Sequence, residues 1–355
     1  MSGSMPKLKL LAGPTALLFL AAGCNGVDDD PTDTDDDGEE TEDTEEAEEA
    51  EDVEEVSLDF AHVYEASAPT HACGADLLPD ALEEADIGVT AEIFPNAQLG
   101  SESELVEQIA SDELDMAIAG PSFLATLDER VGLFDAAYAF EDEDQLMEVA
   151  QGDLGQELFG DLEESAGVVV LNTWYYGARH VTSNEPVSSP DDLAGMRLRM
   201  PDSAVMLASG EAIGAQPTAV EFEEVYTSLQ QGVIDAQENP IPTISAMGFH
   251  EVQDYLNLTG HIQSSTQNLM SQSAWDSLSE EQREGLLEVF EDLAEEVSQC
   301  IADGDEQLVE EWRETGEMEI NEDIDADAFA EAATEFFSDG FEFSEDYQNV
   351  AEGNY

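Results

Sequence analysis

Lysine is absent from this chain after Cys24, and only six arginines remain, at 130, 179, 197, 199, 283 and 313, against 86 Asp and Glu. With a formal charge of −78, nucleic acid is excluded as a partner, because phosphate contacts need Lys and Arg. Bases are removed here, not merely outnumbered. That pattern fits a surface kept hydrated by carboxylates in molar salt, where the Debye length shrinks to about 3 Å, so a halophilic source is expected. Apolar runs are short as well: Leu10–Leu20 cannot span a bilayer, and no second candidate follows. Five His and three Cys recur at no metal-ligand spacing. No nucleophile–base pair or phosphate loop stands at usable spacing. An enzyme is therefore not expected, nor a cofactor or a metal.

Against these absences stands a clear export signal. Lys7 and Lys9 precede the apolar run, and Ala21-Ala22-Gly23 lead to Cys24. Residues 1–23 read as a signal peptide, and -AAGC resembles a lipobox in which Cys24 carries the lipid anchor; a plain cleaved signal is the alternative. Residues 24–56 are dominated by Asp and Glu and cannot bury a core, so they read as a self-repelling tether. These features place the protein on the extracellular face of the cell membrane. Cys73 and Cys300 are then the only pair left to each other. An oxidising exterior permits a bridge, yet their wide separation makes two free, buried thiols the expectation.

Past the tether the chain, 42% apolar over its full length, alternates strand and helix patterns, which implies α/β lobes around central sheets. SLDFAHV and VTAEIF alternate as strands. A helix near 102–110, the run LDMAIA and the loop Gly120–Ser122 form a unit that recurs as EFEEVYTSLQQG, VIDAQ and ENP. Ligands of such lobes bind beyond the carboxyl ends of strands, so Gly120–Ser122 and Gln237–Pro240 should face one cleft. VVVLNTWYYGARHVT reads as a strand crossing between lobes. Ser189, Pro190 and Gly195 bound a short helix. In MRLRM the apolar residues take one strand face and Arg197 and Arg199 the other. Long amphipathic helices dominate from Trp275, and the tail after Asp339 is poorly patterned.

FPNAQLGSESELVEQI, LDMAIAGPS, YYGARHVTSNEPVSSPDDLAGMRLRMPDS, AIGAQPTAVEFEEVYTSLQQGVIDAQENPI and FHEVQDYLNLTGH resemble, in order, the DctP-type solute receptors of tripartite ATP-independent periplasmic (TRAP) transporters. The likeness covers about residues 57–340. It implies a two-lobe periplasmic-binding-protein-like fold with a hinge and a long inter-lobe helix. The matching division is residues 57–176 with about 265–300 as the first lobe, and 177–264 with about 301–345 as the second. It also implies capture of a small organic acid, a mono- or dicarboxylate, and delivery to the permease's membrane subunits. A sensory lipoprotein presenting its solute to a chemoreceptor or kinase is the alternative.

By the same resemblance, Arg199 pairs with the ligand carboxylate, Arg179 assists and Asn239 donates from the opposite edge. Each has a structural rival: a surface ion pair for Arg199, an acid across the hinge for Arg179, a turn cap for Asn239. Trp174 stands as a candidate pocket wall, with core packing as its rival. Arg197 reads as an exposed cation. The segment Ala137–Phe140 departs from the family's Pro-Phe, which bears on the pocket wall. Asn257-Leu258-Thr259 matches a glycosylation sequon.

Overall fold

A computed structural model describes residues 55–355, and Cys24, the export signal and most of the acidic tether lie outside the described residues. Among the described residues nine strands form two sheets. The larger has the order β2 (Val89–Phe94), β1 (Val56–Ala61), β3 (Met116–Ala119), β8 (Tyr255–Ser271), β4 (Val168–Ser183), β7 (Gln237–Pro240), with β9 (Glu319–Asn321) also on β8. β5 (Arg197–Met200) and β6 (Gln216–Ala219) make a small parallel sheet, joined to the chain before β7 by the bridge Leu198–Ala236. The α/β class is as the sequence implies.

The long antiparallel pair β4–β8 is the spine. β3 flanks β8 and β7 flanks β4, so the two copies of the helix–strand–proline unit dock on opposite sides of it. Each strand runs directly into a short helix opened by its proline segment, Pro121–Leu124 after β3 and Ile241–Ala246 after β7. β4 is not regular. Its pairing with β8 shifts register three times, between Val170 and Asn172, Tyr175 and Gly177, and Arg179 and Val181. Gly177 sits at φ 114°, and a Cβ there would come 2.9 Å from that of Pro240. Only glycine fits both demands. These bulges set the direction of the next side chains, Arg179 among them.

Helix boundaries follow local chemistry. Capping boxes open Glu102–Ala110 (Ser101 with Glu104), Pro190–Leu193 (Ser189 with Asp192) and the 36-residue helix Glu280–Thr315 (Ser279 with Gln282). The last buries Leu286, Phe290, Val297 and Ile301 on one face and ends at Gly316 in the left-handed region. It is the long helix that the resemblance implies.

Two expectations need correction, and one reading left open is now decided. Cys73 and Cys300 are not free: they form a disulfide, S–S 2.02 Å, that ties the turn His71–Ala75 to the long helix. Sequence separation hid the pairing, and the same separation of 227 residues gives it leverage, about 5 kcal/mol in a chain-entropy description. The tail after Asp339 is patterned: Ser344–Ala351 is a helix that buries Tyr347 and Val350, and the Tyr347 hydroxyl donates to the Ala137 carbonyl at 2.9 Å. Its few apolar residues were masked by surrounding acids. Asn257 is fully buried, and its amide serves Val187, Val181 and Ser183, so its sequon is sealed inside the folded chain.

Among the described residues no helix is long and apolar enough to cross a membrane, and no cluster of potential metal ligands occurs.

Candidate functional site

Both proline units, β4, β5 and β8 contribute to one small cavity of about 40 Å³. Arg179, Arg199, Asn239, Glu102 and Asp135 bring charge and polarity to it, and Tyr64, Tyr176 and Phe222 bring rings. Gly120 and Ser122 reach it from behind β3, and Ser264 to Thr266 from the middle of β8. The sequence placed Gly120–Ser122 and Gln237–Pro240 on a shared cleft; of these, Gly120, Ser122 and Asn239 line the cavity.

Arg179 is the closed member of its cationic pair. The register Arg179–Pro240 and Val181–Glu238 between β4 and β7 sets it beside Glu238. Its Nε donates to one Glu238 oxygen at 2.5 Å and Nη2 to the other at 2.7 Å, with longer bonds to the Glu238 and Asn239 carbonyl oxygens. Both residues are buried. Burial would raise the Glu238 carboxyl, but the guanidinium overrides it and holds the group down to about 2. Burial likewise opposes the charge on Arg179, and Glu238 outweighs it, raising Arg179 above the usual guanidinium range. His261 Nε2 stands 3.3 Å from the same carboxylate. Arg179 thus sits in the cavity wall with its charge already matched by an acid.

Arg199 is the open member. Its backbone amide bonds Ala236, and its Nε donates to the Val220 carbonyl at 2.8 Å. The guanidinium carbon lies 5.9 Å from the Phe222 ring centre. Its two terminal nitrogens have no hydrogen-bond partner among the described residues, although the side chain is only 2% exposed. Burial lowers Arg199 to about 10, so it remains charged at neutral pH. A buried, charged fork with idle donors is set for a planar anion such as a carboxylate.

The other candidates divide. Asn239 lines the cavity, but its amide nitrogen donates to Gln237 at 2.7 Å and its oxygen accepts from Arg179. Trp174 does not line it. Its ring packs on Phe290 and against Gly74, and its Nε1 donates to the Phe290 carbonyl. The wall position falls to Tyr176, two residues on and at the register shift between Tyr175 and Gly177, with its hydroxyl accepting from Thr243 at 3.0 Å. Arg197 is partly exposed and paired bidentately with Asp235, as its reading as an outlying cation requires. Ala137–Phe140 lies off the cavity: Phe140 stacks on Phe134, and the Tyr138 hydroxyl donates to the Thr259 carbonyl.

Glu102 and Asp135 were not anticipated. In a chain with 86 acids, two more carry no signal, and only the fold turns them inward. Burial raises the Glu102 carboxyl to about 7, against the Gly120 amide and the Arg199 charge. Asp135 is also raised by burial, although Arg179 and the Ser122 amide oppose the shift.

Comparison with known proteins places this architecture among binding proteins. The model of the DctP family, described as bacterial extracellular solute-binding protein, family 7, matches residues 60–342. A solute-binding protein of Roseobacter denitrificans is 36% identical over 200 residues, 56% of this chain and 61% of that relative. Its crystal structure, a TRAP periplasmic solute-binding protein with bound L-galactonate, superposes with a TM-score of 0.76 at 29% identity, over 84% of this chain and 99% of that one. The sialic acid-binding periplasmic protein of Vibrio cholerae is 32% identical over 243 residues, 68% of this chain and 76% of the relative. A TRAP periplasmic solute-binding protein of Sulfurospirillum deleyianum with bound succinate has a TM-score of 0.74 at 28% identity, over 85% and 100% of the two chains.

Proposed function

Since this chain belongs to the DctP family of bacterial extracellular solute-binding proteins, we propose that it captures a small organic acid outside the cell and hands it to a TRAP permease. Arg199 grips the carboxylate, Arg179 holds the wall beside it, and the Asn239 amide borders the ligand. The observation that carries this reading is the pair of idle terminal nitrogens on the buried Arg199. Relatives of similar fold with bound L-galactonate and bound succinate support a carboxylate as the ligand class.

The physical logic resolves an apparent conflict between an acidic protein and an acidic solute. In concentrated salt the surface carboxylates are screened beyond about 3 Å. A contact pair inside a small cavity escapes most of that screening. Charge-assisted hydrogen bonds there contribute roughly 1.5–3 kcal/mol each. The proposal has the two lobes, divided as the sequence suggests, close around the acid, and a lipid on Cys24 keeps the receptor near its permease.

A thermal-shift screen of organic acids in concentrated KCl, followed by calorimetry on Arg199→Ala, tests the site. The variant should bind at least about a hundredfold more weakly and keep its fold. Near-native affinity in that variant, or no response to any carboxylate, would remove the assignment.

A further inference from the structure

The cavity's charges do not balance around a simple anion site. Arg179 and Glu238 cancel one another at 2.5 and 2.7 Å. Arg199 is then one cation facing two acids, Glu102 and Asp135, in the same small space. Among the described residues neither acid has an ion-pair partner. Glu102 accepts only from the Gly120 amide, through Oε1 at 3.1 Å. Asp135, 4% exposed, accepts from the Ser122 amide at 2.9 Å and from the Ser264 hydroxyl at 3.5 Å. Thr266, also on the cavity, has a buried hydroxyl without a partner. The site therefore offers one open anion grip and, beside it, carboxylate oxygens with acceptor capacity to spare.

A ligand carboxylate uses up the one free cation. A second carboxylate would enter beside Glu102 and Asp135 with no cation left, and like charges juxtaposed in a buried site repel strongly. A hydroxyl or ammonium in that place would instead donate to the spare oxygens. We propose that Glu102 and Asp135 are specificity-determining residues that restrict the cavity to monocarboxylates whose other polar groups are hydrogen-bond donors, and that exclude dicarboxylates. The inference rests on the Arg199 reading and narrows it. It separates this chain from the relative whose structure holds succinate.

Ligand pairs that differ at one terminal carbon test it: galactonate against galactarate, and 4-hydroxybutyrate or 4-aminobutyrate against succinate. Calorimetry on the full chain in concentrated KCl should give the monocarboxylate of each pair at least about a hundredfold tighter binding. The isosteric double variant Glu102→Gln with Asp135→Asn should narrow that ratio tenfold or more. A dicarboxylate within threefold of its partner on the wild-type protein overturns the inference, whether or not the variant folds, and so does an unchanged ratio in the folded variant. A pH series tells the donors apart. Arg199, Arg179, Asp135, Tyr64 and Tyr176 also face Glu102's side of the cavity, but Glu102 is the group brought to about 7. Amino-acid affinity should rise more steeply than hydroxy-acid affinity as the pH rises from 6 to 8 and Glu102 ionises. Arg199→Ala read alongside keeps the two claims apart. If it abolishes binding while both members of a pair bind equally to the wild-type protein, only the specificity claim fails. If it leaves binding intact, the anion grip fails.

Discussion

Arg179 and Arg199 lie in one cavity wall and meet opposite fates. On β4 the strand register delivers both carboxylate oxygens of Glu238 to one edge of the Arg179 guanidinium. On β5 the neighbours of Arg199 are a carbonyl and a ring, and its terminal nitrogens stay idle. Two buried guanidiniums in one cavity would repel, and the protein neutralises one of them while the terminal nitrogens of the other have no partner among the described residues. In the proposed function the closed pair is framework and the open cation is the grip. Residue type and spacing do not tell the two arginines apart; only the resemblance ranks Arg199 first, and the partners they acquire differ in kind.

The sharpest way to break this comparison is to unmake the closed pair. Glu238→Gln leaves Arg179 buried and unpaired, and should cost about 3–5 kcal/mol of stability, read as a lowered denaturation midpoint. A midpoint unchanged by that substitution would mean that Arg179 is not held by Glu238. Arg199→Ala should do the reverse, with a small change in midpoint and a large loss of affinity, because no protein acid among the described residues is hydrogen-bonded to its guanidinium. If both variants lose stability equally, the division of roles is wrong.

Proton linkage sharpens the contrast further. Glu238 is held at about 2 against an ordinary 4.5, so its contribution is complete above 4.5 and disappears as the pH falls towards 2. Glu102 is raised from 4.5 to about 7, so its contribution is complete below 4.5 and is lost as the pH rises through 7. Urea titrations should therefore show Glu238→Gln flattening the acid limb and Glu102→Gln flattening the fall between pH 5 and 7. A stability curve in Glu102→Gln that falls as steeply as the wild type would count against burial of that acid. The smallest effect belongs to Arg197→Ala. Its pair with Asp235 is partly exposed on both sides, so stability should barely change and affinity not at all.

Much of the fold was legible in the sequence. The period-2 alternation of β1 and β2, the Ser189–Pro190 start, and the helix–strand–proline units at Gly120 and Pro240 each carry local signals that packing does not overturn. The disulfide was not legible, since nothing local in Cys73 or Cys300 reports a partner 227 residues away. The terminal helix around Tyr347 was obscured because its apolar residues are few and flanked by acids. Trp174 was misplaced by about two residues along β4, where three register shifts disturb simple alternation. Tyr176 took the place on the cavity.

What the sequence alone determined is the chemistry available: an acidic chain almost without cations, built from alternating strands and helices, with three arginines kept close together and a family pattern running through them. Side-chain charge and periodicity are local properties, and they survive being read one residue at a time. Only the tertiary structure decided which arginine would be neutralised and which left open, and which of so many acids would be turned inward. Those outcomes depend on strand register, bulges and burial, which bring together residues that no spacing in the chain connects.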